Sequence, residues 1–170
     1  TQKVDSTDPT LGFFVRWIEE FKKHTEVEII SLHVLGSGRL MRALRLLRLV
    51  STLKYDAVFV HMNPEYLVVA GWLWRLRGIK TALWYTHKSV DLKLRLATLC
   101  ANIIFTASKE SFRLQSKKVH VVGHGIDTDF FTPDPSVARG DWFLSVGRLS
   151  KSKRHDLAIR LAAHEGRELH

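Results

Sequence analysis

Residues 118–153 read KVHVVGHGIDTDFFTPDPSVARGDWFLSVGRLSKSK, and their end carries the clearest chemistry in the chain. An apolar run at 142–146 (WFLSV) passes through Gly147 into a loop holding Arg148, Lys151 and Lys153, and then into a helical pattern. A strand that feeds a basic loop at a helix N-terminus suits an anion such as phosphate, because free backbone N–H groups and the helix dipole both favour negative charge there. Arg148 offers a planar fork of donors and Lys153 a point charge, both suited to phosphate oxygens. Two surface cations in a basic protein are the plainer alternative. Two histidines end apolar runs: His61 in 56–62 (DAVFVHM), and His87 just after 80–85 (KTALWY). Ligands of open parallel sheets bind outside the carboxyl ends of the strands, so both histidines are placed to reach one, unless each is a solvated or hydrogen-bonded strand-end residue.

Several chemistries leave no mark. The sequence shows no metal-ligand spacing, no nucleophile elbow and no P-loop. Cys100 is the single cysteine, which rules out an intrachain disulfide, fits a reducing cytoplasm, and reads most plainly as a small buried hydrophobe in a helix.

The elements that must position these residues alternate between strand and helix, which predicts an α/β fold with a doubly wound parallel sheet and helices on both faces. Phe14, Trp17, Ile18 and Phe21 recur at helical spacing opposite Glu19, Glu20, Lys22 and Lys23, with Asp8 or Thr10 placed to cap that helix. Residues 1–4 look like the tail of a strand, 27–32 (VEIISL) read as another, and 36–38 as a turn. Residues 39–53 form an arginine-rich helix in which Arg39, Arg42, Arg45 and Arg48 recur every third position beside an apolar stripe of Leu40, Leu44, Leu47 and Val50. Such a helix can lie on anionic lipid, or it can be an ordinary surface helix docked by its leucines. Residues 56–62 are expected to be buried on both faces. Pro64 suits the first turn of a helix over 65–77 that Gly78 closes. A helix over 92–101, strands at 103–106 and 118–122, and Ser108 as an N-cap complete the first region. At 124–127 (HGID), Gly125 can take positive φ and Asp127 can fold its carboxylate onto backbone N–H groups.

The 170 residues, 45% hydrophobic, suffice for one packed core but not for two complete nucleotide-binding domains. A formal net charge of +9 favours an anionic partner: phosphate groups, a membrane surface or nucleic acid. Nucleic acid is disfavoured and not expected as a partner, because no aromatic-interleaved basic strand or recognition motif is present. No apolar run reaches transmembrane length, since His61, Asn63, Pro64 and Glu65 interrupt the best one. The expected location is cytoplasmic, with peripheral contact at the inner membrane face if the arginine stripe meets lipid.

HGIDTDFFTP followed by FLSVGRLSKSKRHDLAI resembles the domain junction of the GT-B glycosyltransferases of family 4, where a loop "nGvDtd.F.P" precedes a strand "vGRl...Kg.d.li". The resemblance implies two Rossmann-like domains: 1–122 as the N-terminal acceptor-side domain, 123–140 as the linker, and 141–170 as the first strand and helix of a donor-binding domain. It also implies retaining transfer of a sugar from a nucleotide-sugar donor, without a cofactor or a required metal, to a sugar or lipid-linked acceptor of a cell-envelope glycan. LWYTHKS is similar to the family strand ending "v.T.H", whose histidine lies at the reaction centre, so His87 is the expected catalytic residue. Arg148 and Lys153 match the cations that hold the donor diphosphate. Gly12 stands where the family keeps glycines near those phosphates, with helix packing as its other use; Asp5 and Asp8 there could meet acceptor hydroxyls or cap the helix. Arg42, Arg45 and Arg48 would form an acceptor-side or membrane surface. The family's acidic donor-binding pair would fall beyond His170, so the chain reads as a fragment expected to be inactive alone. Two other readings fit the same residues: a membrane- or anion-binding α/β module, and another GT-B enzyme such as a sugar epimerase or phosphorylase.

Overall fold

A computed structural model describes residues 4, 7, 12–31, 35, 36, 38–137 and 140–170. The chain divides into two compact units, Thr1–Gly125 and Ile126–His170. In the first, four parallel strands stand in chain order: β1 (Ala57–His61), β2 (Lys80–Trp84), β3 (Ile103–Thr106) and β4 (Val119–Val121). Four helices accompany them: α1 (Phe13–Lys22), α2 (Arg39–Thr52), α3 (Glu65–Leu76) and α4 (Leu92–Cys100). This is a Rossmann-like α/β arrangement with an all-parallel sheet.

The register assigns each face of the sheet. Val60, Leu83, Ile104 and Val119 lie in one row, and His61, Trp84, Phe105 and His120 in the next. Successive side chains of a strand point to opposite faces, so the two rows look opposite ways. The first row joins Leu67, Ala70 and Trp74 of α3 and Leu94 and Ala97 of α4 in the main core, with Leu46 and Val50 of α2 at its side. On the other face α1 sets Phe14 against His61 and Trp17 against Trp84.

Local chemistry fixes the ends of these elements. Asp91 caps α4 by accepting from the Leu94 N–H at 2.8 Å. After α3, Gly78 takes φ 71°, its N–H meets the Arg75 carbonyl, and the Ile79 N–H meets that of Trp74. That double bond pattern at a left-handed glycine closes a helix while satisfying its last carbonyls. The last carbonyls of α4 are met by the Lys118 ammonium, which donates to Thr98, Leu99 and Ala101 and so ties β4 to the helix. Gly71 brings α3 against α4: a Cβ there would stand 2.6 Å from Cβ of Cys100, which is half-buried as a helix residue.

The described residues of the first unit differ from expectation in three places. No strand is assigned in 26–31, where Ile30 packs on the core and Ser31 is buried; side-chain burial, more than β-propensity by itself, sets what such a run becomes. β1 is not buried on both faces: it stands at one end of the sheet order, and Phe59 is 38% exposed against Phe21. In α2 the buried side chains are Leu46 and Val50, while Leu40 and Leu44 of the expected apolar stripe point to solvent. Caps proposed at Asp8 and Thr10, Asp5, and the strand tail over 1–3 lie outside the described residues. No helix among the described residues is long and apolar enough to cross a membrane.

The second unit holds α5 (His155–Glu165), a 3-10 turn (Lys151–Lys153) and one parallel bridge, Phe143 to Leu169. The strand expected over 142–146 is therefore not formed. Backbone bonds from Phe143 to Glu168, Ser145 to His170 and His170 to Phe143 make a short parallel contact, and Leu144 and Val146 remain 63% and 82% exposed. A strand with one short neighbour and open faces has too few partners to become a ladder.

Candidate functional site

The basic loop lies wholly in the second unit. Gly147 leaves the short parallel contact, and the Lys153 stem covers it, with Cγ and Cδ 3.5 Å from where a Cβ of Gly147 would sit. Arg154 then takes φ 50° and ψ 41°, a left-handed conformation that side chains rarely adopt. Its guanidinium lies along Asp156 in two 3.0 Å bonds, which hold the Asp156 carboxyl below its usual range. That pairing occupies the acid nearest the loop. Among the described residues Arg148, Lys151 and Lys153 have no acidic partner, and all three are exposed. An open depression of about 510 Å³ beside them is lined by Leu149, Ser150, Lys151, Arg154, His155 and Asp156.

His155, which sequence reasoning missed, organises this loop. Its Nδ1 lies 2.7 Å from the Ser145 hydroxyl and its Nε2 3.1 Å from the Arg148 carbonyl. A carbonyl only accepts, so Nε2 carries the proton, and in the neutral ring Nδ1 accepts from Ser145. One imidazole thus joins the strand-like segment, the Arg148 turn and the start of α5. A serine and a backbone carbonyl as partners leave no spacing signature that sequence could have shown. The chemistry available here is anion binding: exposed cations on a backbone turn that His155 holds.

His87 follows β2 in the first unit and is exposed. The Ser89 N–H donates to its Nδ1 at 3.2 Å, which leaves Nε2 facing solvent, and the Tyr85 ring stands edge-on 6.3 Å away. Its neighbour Thr86 donates to the Met62 sulfur through its N–H (3.3 Å) and hydroxyl (3.4 Å). Met62 has φ 59° at the carboxyl end of β1, and buried Asn63 donates to the His61 carbonyl at 3.0 Å. Strained, buried polar backbone at a strand end is where parallel-sheet proteins build sites. Sequence reasoning did not single out Met62 or Asn63.

His61 is not part of that edge. It is 3% exposed, stacked 3.9 Å from the Phe14 ring, and burial lowers its pKa to about 4, so it is neutral and structural at physiological pH. Gly12 immediately precedes α1 in helical conformation, and its carbonyl accepts from the Val15 N–H. The arginine stripe is divided. Arg42 and Arg45 reach back to the carbonyls of Gly36 and Leu35, while Arg48 is exposed. The structure thus brings Arg148 and Lys153 together in one loop and sets His87 in the other unit, beside Thr86 and Met62. No group of three or more candidate metal ligands occurs among the described residues. No family model matches the chain, and no curated protein matches it.

Proposed function

We propose that this chain is the N-terminal domain and the beginning of the donor-binding domain of a retaining GT-B glycosyltransferase of the family 4 kind. The observation that carries the reading is the turn at 147–153. It carries Arg148 and Lys153, both exposed and without an acidic partner among the described residues, in one loop that leads into α5. In the reaction, the bond from the anomeric carbon to the donor diphosphate breaks and its electron pair leaves on the diphosphate. The acceptor hydroxyl oxygen bonds the same carbon and gives up its proton to the departing phosphate. Arg148 and Lys153 neutralise the charge that develops on that leaving group. His87, with Nε2 free, positions sugar or acceptor hydroxyls.

The test uses the two-domain enzyme that the resemblance implies. His87→Ala should lower kcat far more than donor affinity. Arg148→Ala and Lys153→Ala should each weaken donor binding about ten- to a hundredfold, the value of one charge-assisted contact. Steady-state kinetics with a separate donor titration reads both. Near-normal turnover in His87→Ala would return it to a structural histidine, and unchanged donor binding in the cation variants would remove the diphosphate site.

A further inference from the structure

Helix α3 lies between α2 and α4, and the three share one core. Each also turns large apolar side chains outward: Leu40 and Leu44 of α2 (75% and 53% exposed), Trp72 and Leu76 of α3 (51% and 77%), Leu92 and Leu99 of α4 (70% and 65%). One exposed leucine on a soluble surface is ordinary; the same feature on three neighbouring helices is an apolar face.

The charges on these helices have one sign. They carry seven arginines and lysines against one acid, Glu65, which Lys93 already holds at 2.9 Å. From residue 29 to residue 55 the sequence has no Asp or Glu. Arg39, Arg48 and Arg95 are exposed and, among the described residues, form no ion pair.

This combination selects an occupant. A second copy of the chain would bring like charge against like charge, which opposes self-pairing. Leucines that can enter an acyl layer, an indole suited to headgroup depth and guanidiniums that meet phosphate match an anionic bilayer surface. We propose that the outer face of α2, α3 and α4 docks this protein on an anionic membrane. The proposal goes beyond the glycosyltransferase reading and does not depend on it. It also differs from the arginine stripe as read in the sequence, because Arg42 and Arg45 are spent on loop carbonyls and the apolar component comes from three helices.

The test is co-sedimentation of the chain with phosphatidylcholine vesicles, with and without phosphatidylglycerol, at low and high salt. Sedimentation is expected with the anionic vesicles alone, and salt should release it. The combined Arg39→Gln, Arg48→Gln, Arg95→Gln variant should lose partitioning about a hundredfold. Leu44→Ser, Trp72→Ser, Leu92→Ser together should lose it about tenfold or more. All six side chains are exposed, and circular dichroism confirms folding. Quenching by brominated lipid, diminished in Trp72→Phe, supplies a readout in a protein with its surface charge intact. Absence of sedimentation, equal sedimentation with neutral vesicles, or binding indifferent to the serine substitutions would overturn the proposal. So would sizing that shows these substitutions splitting a dimer.

Discussion

Residues 80–84 (KTALW) and 142–146 (WFLSV) are the same kind of sequence: five mostly apolar residues that lead into a loop and then a helix. They end differently. The first is β2, paired in parallel on both sides, with Thr81, Leu83 and Trp84 buried. The second makes one bridge and leaves Leu144 and Val146 in solvent. Composition gives a segment the capacity to be a strand. Neighbours on both edges and helices on both faces make it one.

Hydrogen exchange gives the sharpest test of this contrast. Amides of β2 and β3 should exchange about a thousandfold or more slower than those of residues 143–145, since the first require opening of the core and the second only three exposed bonds. Comparable protection in both would break the comparison. Truncation should follow the same order. Leu83→Ala should cost about 2–5 kcal/mol in urea unfolding, whereas Leu144→Ala should stay within about 0.5 kcal/mol.

Acid separates the two units by a smaller effect. Each holds a histidine with close partners, but His61 is dry while His155 is half-buried among polar groups. Burial lowers the His61 pKa to about 4, from an ordinary value near 6.5. Between these values the unfolded chain takes up a proton that the folded chain refuses. Stability therefore falls as pH drops from 6.5 to 4, by up to about 3 kcal/mol, and levels off below. His61→Phe, which keeps a ring against Phe14, should flatten that slope in urea melts recorded from pH 7 to 4.5. A slope that survives the substitution would mean that another group carries it.

Much of the first unit was legible because punctuation and periodicity agreed. Pro64 and Gly78 bracket α3, and short, mostly apolar runs gave β1 to β4 in order. Gly125 at φ 64° and the Asp127 carboxylate accepting from the Phe130 N–H are as the turn residues required. The buried side of α2 was legible only in part, through Val50 and Leu47. Leu40, Leu44, Leu46, Leu47 and Leu49 offer several stripes, and contact with α3 decides among them in favour of Leu46 and Val50. Residues 27–31 had the composition of a strand, yet no strand is assigned there among the described residues. At the candidate site Arg148 and Lys153 are named through the resemblance of their loop to a family motif, while His155 acts through a serine and a backbone carbonyl, which spacing does not record.

The order of the described strands across the sheet is also their order along the chain. Among them, each strand from β2 onward pairs with the one made just before it. On a ribosome the sheet can grow edge by edge, each helix closing over the strands already laid down, and the chain emerges in the sequence in which its core is built.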